Sequence, residues 1–170
     1  AEGTFDCSLR GKFRLSELKE LSPVAVGARV SIALEEPPYG VIEKVYERKN
    51  KLSRPDIHKP EWEQIIVTNC DQLVVVASVS RPKLKYGTID RFLVAGEAAG
   101  LDCAIALTKT DLATPGSYDR VVDVYRMAGY TVIPTSVLDG NGINDLRKCV
   151  QLKTSIFSGH SGVGKSSLLN

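Results

Sequence analysis

The chain has 170 residues, is 43% hydrophobic and 25% charged, and carries a net charge of +2. These values read as a soluble globular protein of one large domain or two small ones, with too little net charge to argue for nucleic acid by itself. The longest apolar run, residues 73–77, is far too short to span a bilayer, and no charged leader with an apolar stretch opens the chain.

Elements follow in chain order. Phe5, Cys7, Leu9, Phe13 and Leu15 alternate with Asp6, Ser8, Arg10, Lys12 and Arg14. Period two predicts a half-buried strand, bent at Gly11. A second alternation runs through Val30, Ile32 and Leu34, and a Pro-Pro-Tyr-Gly turn leads into a further strand-like stretch over residues 41–52. Short strands with little helix point to a small β-barrel over residues 1–60. Pro55 and Pro60 read as a linker.

From about residue 61 the pattern changes. The valine-rich run 72–79 predicts a buried parallel strand. Ile89, Phe92, Leu93 and Gly96 then recur at helical spacing, with Gly100 as a stop. Strands are predicted at 103–112, 130–136 and 154–159, and helices at 118–129 and 143–152. This alternation predicts an α/β domain with a parallel sheet over residues 61–170. The four cysteines, Cys7, Cys70, Cys103 and Cys149, form no C-x-x-C pair. They read as buried, reduced thiols rather than disulfides or a metal site.

Residues 159–166 read Gly-His-Ser-Gly-Val-Gly-Lys-Ser and fit G-x-x-x-x-G-K-[ST] between a predicted strand and a predicted helix. Gly159, Gly162 and Gly164 let the backbone curl so that its N–H groups face phosphate oxygens. The set read as phosphate-binding is Gly159, Ser161, Gly162, Val163, Gly164, Lys165, Ser166 and Ser167. Lys165 supplies charge to the phosphates and Ser166 a hydroxyl for Mg²⁺. His160 is a rim residue, and His58 has no nameable partner.

Upstream, Thr108, Lys109 and Asp111 lie at the end of a predicted strand, where open parallel sheets bind ligands. One carboxylate can accept both neighbouring donors of guanine, and adenine shows no such pair. The Lys109 stem can lie on the base. By itself, Asp111 reads equally well as a cap of the next helix. Ser136 and Val137, ending the following strand, are placed to offer backbone N–H groups to a base carbonyl.

These motifs occur in the order Thr-Lys-Thr-Asp, Thr-Ser-Val, then the glycine-rich loop. In GTPases the loop comes first, so the order is that of a circularly permuted GTPase domain. With the N-terminal stretches "RGKFRL", "VGARV" and "YGVIEKVYERKNKLSRP" and the following "NCDQLVVVAS", the chain resembles the RsgA (YjeQ, EngC) family along nearly its whole length. The resemblance implies an OB-fold ahead of a permuted GTPase domain. It also implies GTP and GDP as ligands with Mg²⁺, and a monomeric cytoplasmic GTPase, an organelle stroma or matrix being the alternative place. Its partner would be the small ribosomal subunit and its rRNA, late in that subunit's maturation. Thr108 departs from the pattern, which has asparagine there, and has fewer hydrogen bonds to offer. The switch I threonine, the D-x-x-G segment and a zinc-binding module are expected beyond Asn170. The 170 residues are therefore expected to be a fragment that does not turn over GTP by itself, with the residue that activates water unassigned.

Arg10, Lys12 and Arg14 share a strand face, and Arg48, Lys49, Lys51 and Arg54 cluster without an intervening acid. Residues 1–58 nevertheless hold ten Lys/Arg against nine Asp/Glu, which reads as an ordinary charged surface. Only the resemblance turns the two clusters towards rRNA. Two other readings compete: an ATP-using P-loop enzyme in which Asp111 is only a cap, and an RNA-binding module with a vestigial nucleotide site.

Overall fold

The computed structural model describes residues 3–11 and 20–170. The chain divides into two compact units, Ala1–Asn69 and Cys70–Asn170.

The first unit is built from strands. β1 (Asp6–Leu9) lies parallel to β3 (Tyr39–Val45), and β2 (Val30–Leu34) lies antiparallel on its other side. β4 (Lys51–Pro55) and β5 (Glu63–Thr68) form a separate antiparallel pair. Isolated bridges join Glu20 to Glu63 and Val26 to Val67. Among the described residues these strands do not close into a barrel. Among the described residues β1 pairs on one side only, and Cys7 is exposed rather than turned into a core. Phe13 and Leu15, the rest of the expected inward face, lie outside the described residues, as do Lys12 and Arg14.

Two expectations are corrected here. The stretch 41–52 is not one strand, because residues 46–50 break it between β3 and β4. The expected linker around Pro55 and Pro60 is the turn of the β4–β5 hairpin. The Asp56 carboxylate accepts from the His58 and Lys59 amides at 2.9 Å, and the Asp56 amide donates to the Trp62 carbonyl at 2.8 Å. An aspartate that bonds its own backbone two and three residues on makes a turn, which the prolines alone do not disclose. Residues 61–69 consequently belong with the first unit.

The second unit follows the predicted alternation. β6 (Gln72–Ser78), α1 (Tyr86–Ala98), β7 (Asp102–Thr108), α2 (Asp119–Met127), β8 (Thr131–Pro134), α3 (Ile143–Val150), β9 (Ser155–Ser158) and α4 (Lys165–Leu169) succeed one another. The sheet order is β8-β7-β6-β9, and every pairing is parallel. β6 and β7 are central, and Leu73, Val74, Ile105 and Leu107 are fully buried, as expected for strands covered on both faces. Ile89 and Leu93 seat α1 on the sheet, and the helix comes so close that a Cβ on Gly96 would stand 2.6 Å from the Cys103 sulfur. Cys70 is buried and Cys103 half-buried; burial raises both thiols, Cys103 to about 11, so they are inert packing groups. None of the four cysteines is in a disulfide.

Candidate functional site

Because every strand of the second sheet runs the same way, their C-terminal ends share one edge. β7 ends there in Thr108, β8 runs out through Thr135 and Ser136, and β9 leads into Gly159. Segments far apart in sequence therefore meet at the edge where open parallel sheets place ligands.

The glycine-rich loop lies tight on the sheet. A Cβ at Gly159 would collide with the Val76 carbonyl oxygen, and Gly162 and Gly164 hold φ of +78° and +100°. The Lys165 ammonium turns back into the loop and donates to the carbonyls of Gly159 (2.9 Å) and His160 (2.7 Å). Its charge is thus fixed within the curl, where a phosphate chain would be cradled. His160, Ser161, Ser166 and Ser167 are exposed, and Val163 is buried.

Thr108 is buried, and its hydroxyl donates to the Val163 carbonyl at 2.5 Å, with the Ala77 carbonyl at 3.4 Å. A hydroxyl has one proton, so the shorter contact is the bond. The threonine thus tethers the loop to the sheet. Lys109 adds a second tether. Its backbone is left-handed (φ 60°), and its ammonium donates to the carbonyls of Gly162 (2.7 Å) and Arg81 (2.5 Å). Arg81 carried no signal in the sequence, since it contributes a main-chain oxygen.

Asp111 lies in a 3₁₀ turn, Thr110–Leu112, directly after β7. Its Oδ1 accepts from the Ser136 hydroxyl at 2.8 Å, and the Ser136 hydroxyl oxygen in turn accepts from the Asp139 amide at 3.2 Å. The carboxylate caps no helix: α2 starts only at Asp119, and no side chain caps it. Asp111 is exposed, so a ligand would have to cover it before the cost of an unmatched buried carboxylate could select that ligand. The Ser136 amide is already donated to the Asn141 carbonyl at 2.9 Å, so this residue serves through its hydroxyl. Val137 is exposed beside it. An oriented carboxylate, a tethered glycine loop and a fixed ammonium on one edge can hold a flat base with paired donors and a phosphate chain together.

The basic residues of the first unit are spread over several partners. Arg48 donates twice to Glu20 (2.8 and 2.9 Å) and once to the Pro23 carbonyl, with both charged side chains largely out of water. Lys51 bridges Glu20 (3.2 Å) and Glu63 (2.5 Å); hydrogen bonding raises the lysine and lowers the glutamate. Arg10 pairs with Glu43 at 2.7 Å, and Arg54 bonds the neutral Gln64 amide. The backbone amide of Lys49 donates to Asn69. The acids that partner this cluster come from other segments, which a linear run of cations does not reveal. Among the described residues no group of three His, Cys, Asp or Glu could hold a metal, and no helix is long and apolar enough to cross a membrane.

Comparison with known proteins agrees with this geometry. The family model for the RsgA GTPase matches residues 45–170. The small ribosomal subunit biogenesis GTPase RsgA of Cytophaga hutchinsonii is 37% identical over 175 residues, covering 99% of this chain and 57% of that protein. Its counterpart in Alkaliphilus metalliredigens is 38% identical, covering 98% and 53%. The chain therefore spans about half the length of the curated relatives it matches. The crystal structure of YjeQ from Thermotoga maritima superposes with a TM-score of 0.74 at 38% identity, covering 96% of this chain and 55% of that one. That of YloQ, described as a circularly permuted GTPase, does so with 0.68 at 36% identity, covering 97% and 54%. By the family model and these relatives, the chain belongs to the RsgA GTPase family.

Proposed function

We propose that the protein binds GTP and GDP at the C-terminal edge of the parallel sheet, hydrolyses GTP, and acts in late maturation of the small ribosomal subunit. The observation that carries this reading is the Asp111 carboxylate, held by Ser136 beside a glycine loop that Thr108 and Lys109 tether. Asp111 reads the paired donors of guanine, and the Lys109 stem supports the base plane. Lys165 and the loop amides hold the phosphates, with Ser161, Ser166 and Ser167 lining the cradle and Val137 beside the base. Ser166, a hard oxygen donor, suits Mg²⁺, which takes few protein ligands and keeps phosphate oxygens and waters. Once bound, the ion would neutralise phosphate charge.

The names of the relatives support the small subunit as partner, and work on that subunit would place the protein in the cytoplasm. The first unit is assigned as an OB-fold that contacts rRNA through Arg10, Lys12, Arg14, Arg48, Lys49, Lys51 and Arg54. Among these, Arg54 keeps its charge for a phosphate, since its partner is a neutral amide.

The test is nucleotide turnover by the full-length protein, with and without small subunits. GTP hydrolysis should be stimulated by the subunits and ATP hydrolysis should not. Asp111→Asn should move preference from guanine to xanthine nucleotides, because asparagine offers a donor where xanthine carries a carbonyl. Equal loss of both nucleotides, with ATP unaffected, would mean that Asp111 does not read the base.

A further inference from the structure

The segment joining β6 to α1 has no part in the reading so far except through one main-chain oxygen. It carries Arg81, Lys83 and Lys85, three cations in five residues, and no acid stands between Val79 and Ile89. All three are exposed, and none enters an ion pair among the described residues. The first acid beyond them, Asp90, is engaged by the Tyr125 hydroxyl at 2.7 Å. The basic run of the first unit is different, because Glu20 and Glu63 draw much of its charge inward. Three like charges repel one another, and no described acid offsets them, so the fold gains nothing from their company.

The segment is also fixed in place. The Lys109 ammonium bridges the Arg81 carbonyl to the Gly162 carbonyl of the glycine loop, and the Ser78 hydroxyl donates to the Ser80 carbonyl. Lys83 and Lys85 line a cavity between the start of α1 and the beginning of the glycine loop, together with His160 and Ser161. Tyr86 follows directly. It is 43% exposed, and its ring is braced by stacking on Tyr125 at 6.3 Å.

We propose that Arg81, Lys83, Lys85 and Tyr86 form an RNA-binding strap in the second unit, separate from the basic residues of the first. Unpaired cations take phosphates, and a braced, exposed aromatic ring takes an unstacked base. An acidic protein would use the charges and leave the ring without a role, so the pairing favours RNA. This inference rests on the reading that the protein acts on the small ribosomal subunit.

The test uses full-length protein, isolated small subunits and a salt series. Changing Arg81, Lys83 and Lys85 together to Ala should leave the affinity for a fluorescent GDP analogue within about twofold of wild type. Binding to subunits should weaken, and the slope of log affinity against log salt should fall by about 2, at ~0.7 per phosphate contact on single strands. The variant that exchanges each cation for the other type (Arg81→Lys, Lys83→Arg, Lys85→Arg) should keep the wild-type slope. If wild type and the alanine variant bind subunits with the same slope and affinity, the strap is ordinary surface and the subunit reading stands. If wild type does not bind subunits at all, both fail. Weaker binding to subunits with equal binding to protein-free small-subunit rRNA would assign the strap to an acidic ribosomal protein and overturn the RNA claim. Loss of GDP affinity with unchanged subunit binding would place these side chains in the nucleotide site and overturn it too.

Discussion

Thr108→Val tests whether the tether seen in the structure serves nucleotide binding. Valine keeps the branched shape of threonine, so little packing changes at this buried position. What is lost is the hydroxyl proton donated to the Val163 carbonyl at 2.5 Å. Val163 is itself buried, so the carbonyl is left short of a partner in the closed loop. Leaving a buried acceptor unsatisfied costs about 1–3 kcal/mol. An empty loop can move and rehydrate that oxygen, whereas a loop closed round phosphates cannot. The cost therefore falls mainly on the bound state. At 1–2 kcal/mol the GDP dissociation constant should rise about 5- to 30-fold. Calorimetric titration with GDP, beside thermal unfolding of the apoprotein, separates the two places the cost can appear. Thr108→Asn, with two donors, should recover most of the affinity. If Thr108→Val lowers Tm and leaves GDP affinity within about twofold, the tether serves the fold alone and the reasoning fails.

Three further predictions follow from single contacts. Lys165→Ala removes the ammonium held inside the glycine loop. It should weaken GTP and GDP binding by about 2–3 kcal/mol, roughly 30- to 150-fold, without altering the far-UV spectrum, and unchanged affinity by titration would refute its role. Arg48→Ala strips Glu20 of its bidentate partner and leaves it, among the described residues, with Lys51. Unfolding in urea should show the first unit destabilised by ~2–4 kcal/mol, and a loss under about 0.5 kcal/mol would mean that water replaces the arginine. The Tyr125 phenol is raised above its ordinary 10.0 by burial and then by Asp90, and hydrogen bonding to Glu97 raises Tyr130 to about 12. Both contributions are complete below pH 10.0 and are lost as pH climbs above it, through about 12 for Tyr130, so alkaline unfolding monitored by circular dichroism should be shallower in Tyr125→Phe; an identical alkaline limb would refute it.

The second unit was largely legible in the sequence. A run such as 72–79, valine-rich and closed by turn residues, has few ways to be buried except as a central parallel strand, and β6 occupies Gln72–Ser78. The glycine loop was legible for a similar reason: only glycine allows the approach of Gly159 to the Val76 carbonyl, so the requirement is written in residue type. The first unit was less so. β5 and its turn were hidden because Asp56 acts through its own backbone, and prolines beside it mimic a linker. Charge was hidden most of all. In sequence, Arg48, Lys49, Lys51 and Arg54 form a basic run, whereas Arg81, Lys83 and Lys85 are set apart by Pro82 and Leu84. In the fold, Glu20 and Glu63 reach the first cluster from other segments, while the second stands exposed with no ion pair among the described residues. Sequence thus determined the local conformations, which follow from each residue's own backbone and side chain. Tertiary structure decided which charges were neutralised and which hydroxyl tethered the loop, because those depend on distances between segments that no linear pattern carries.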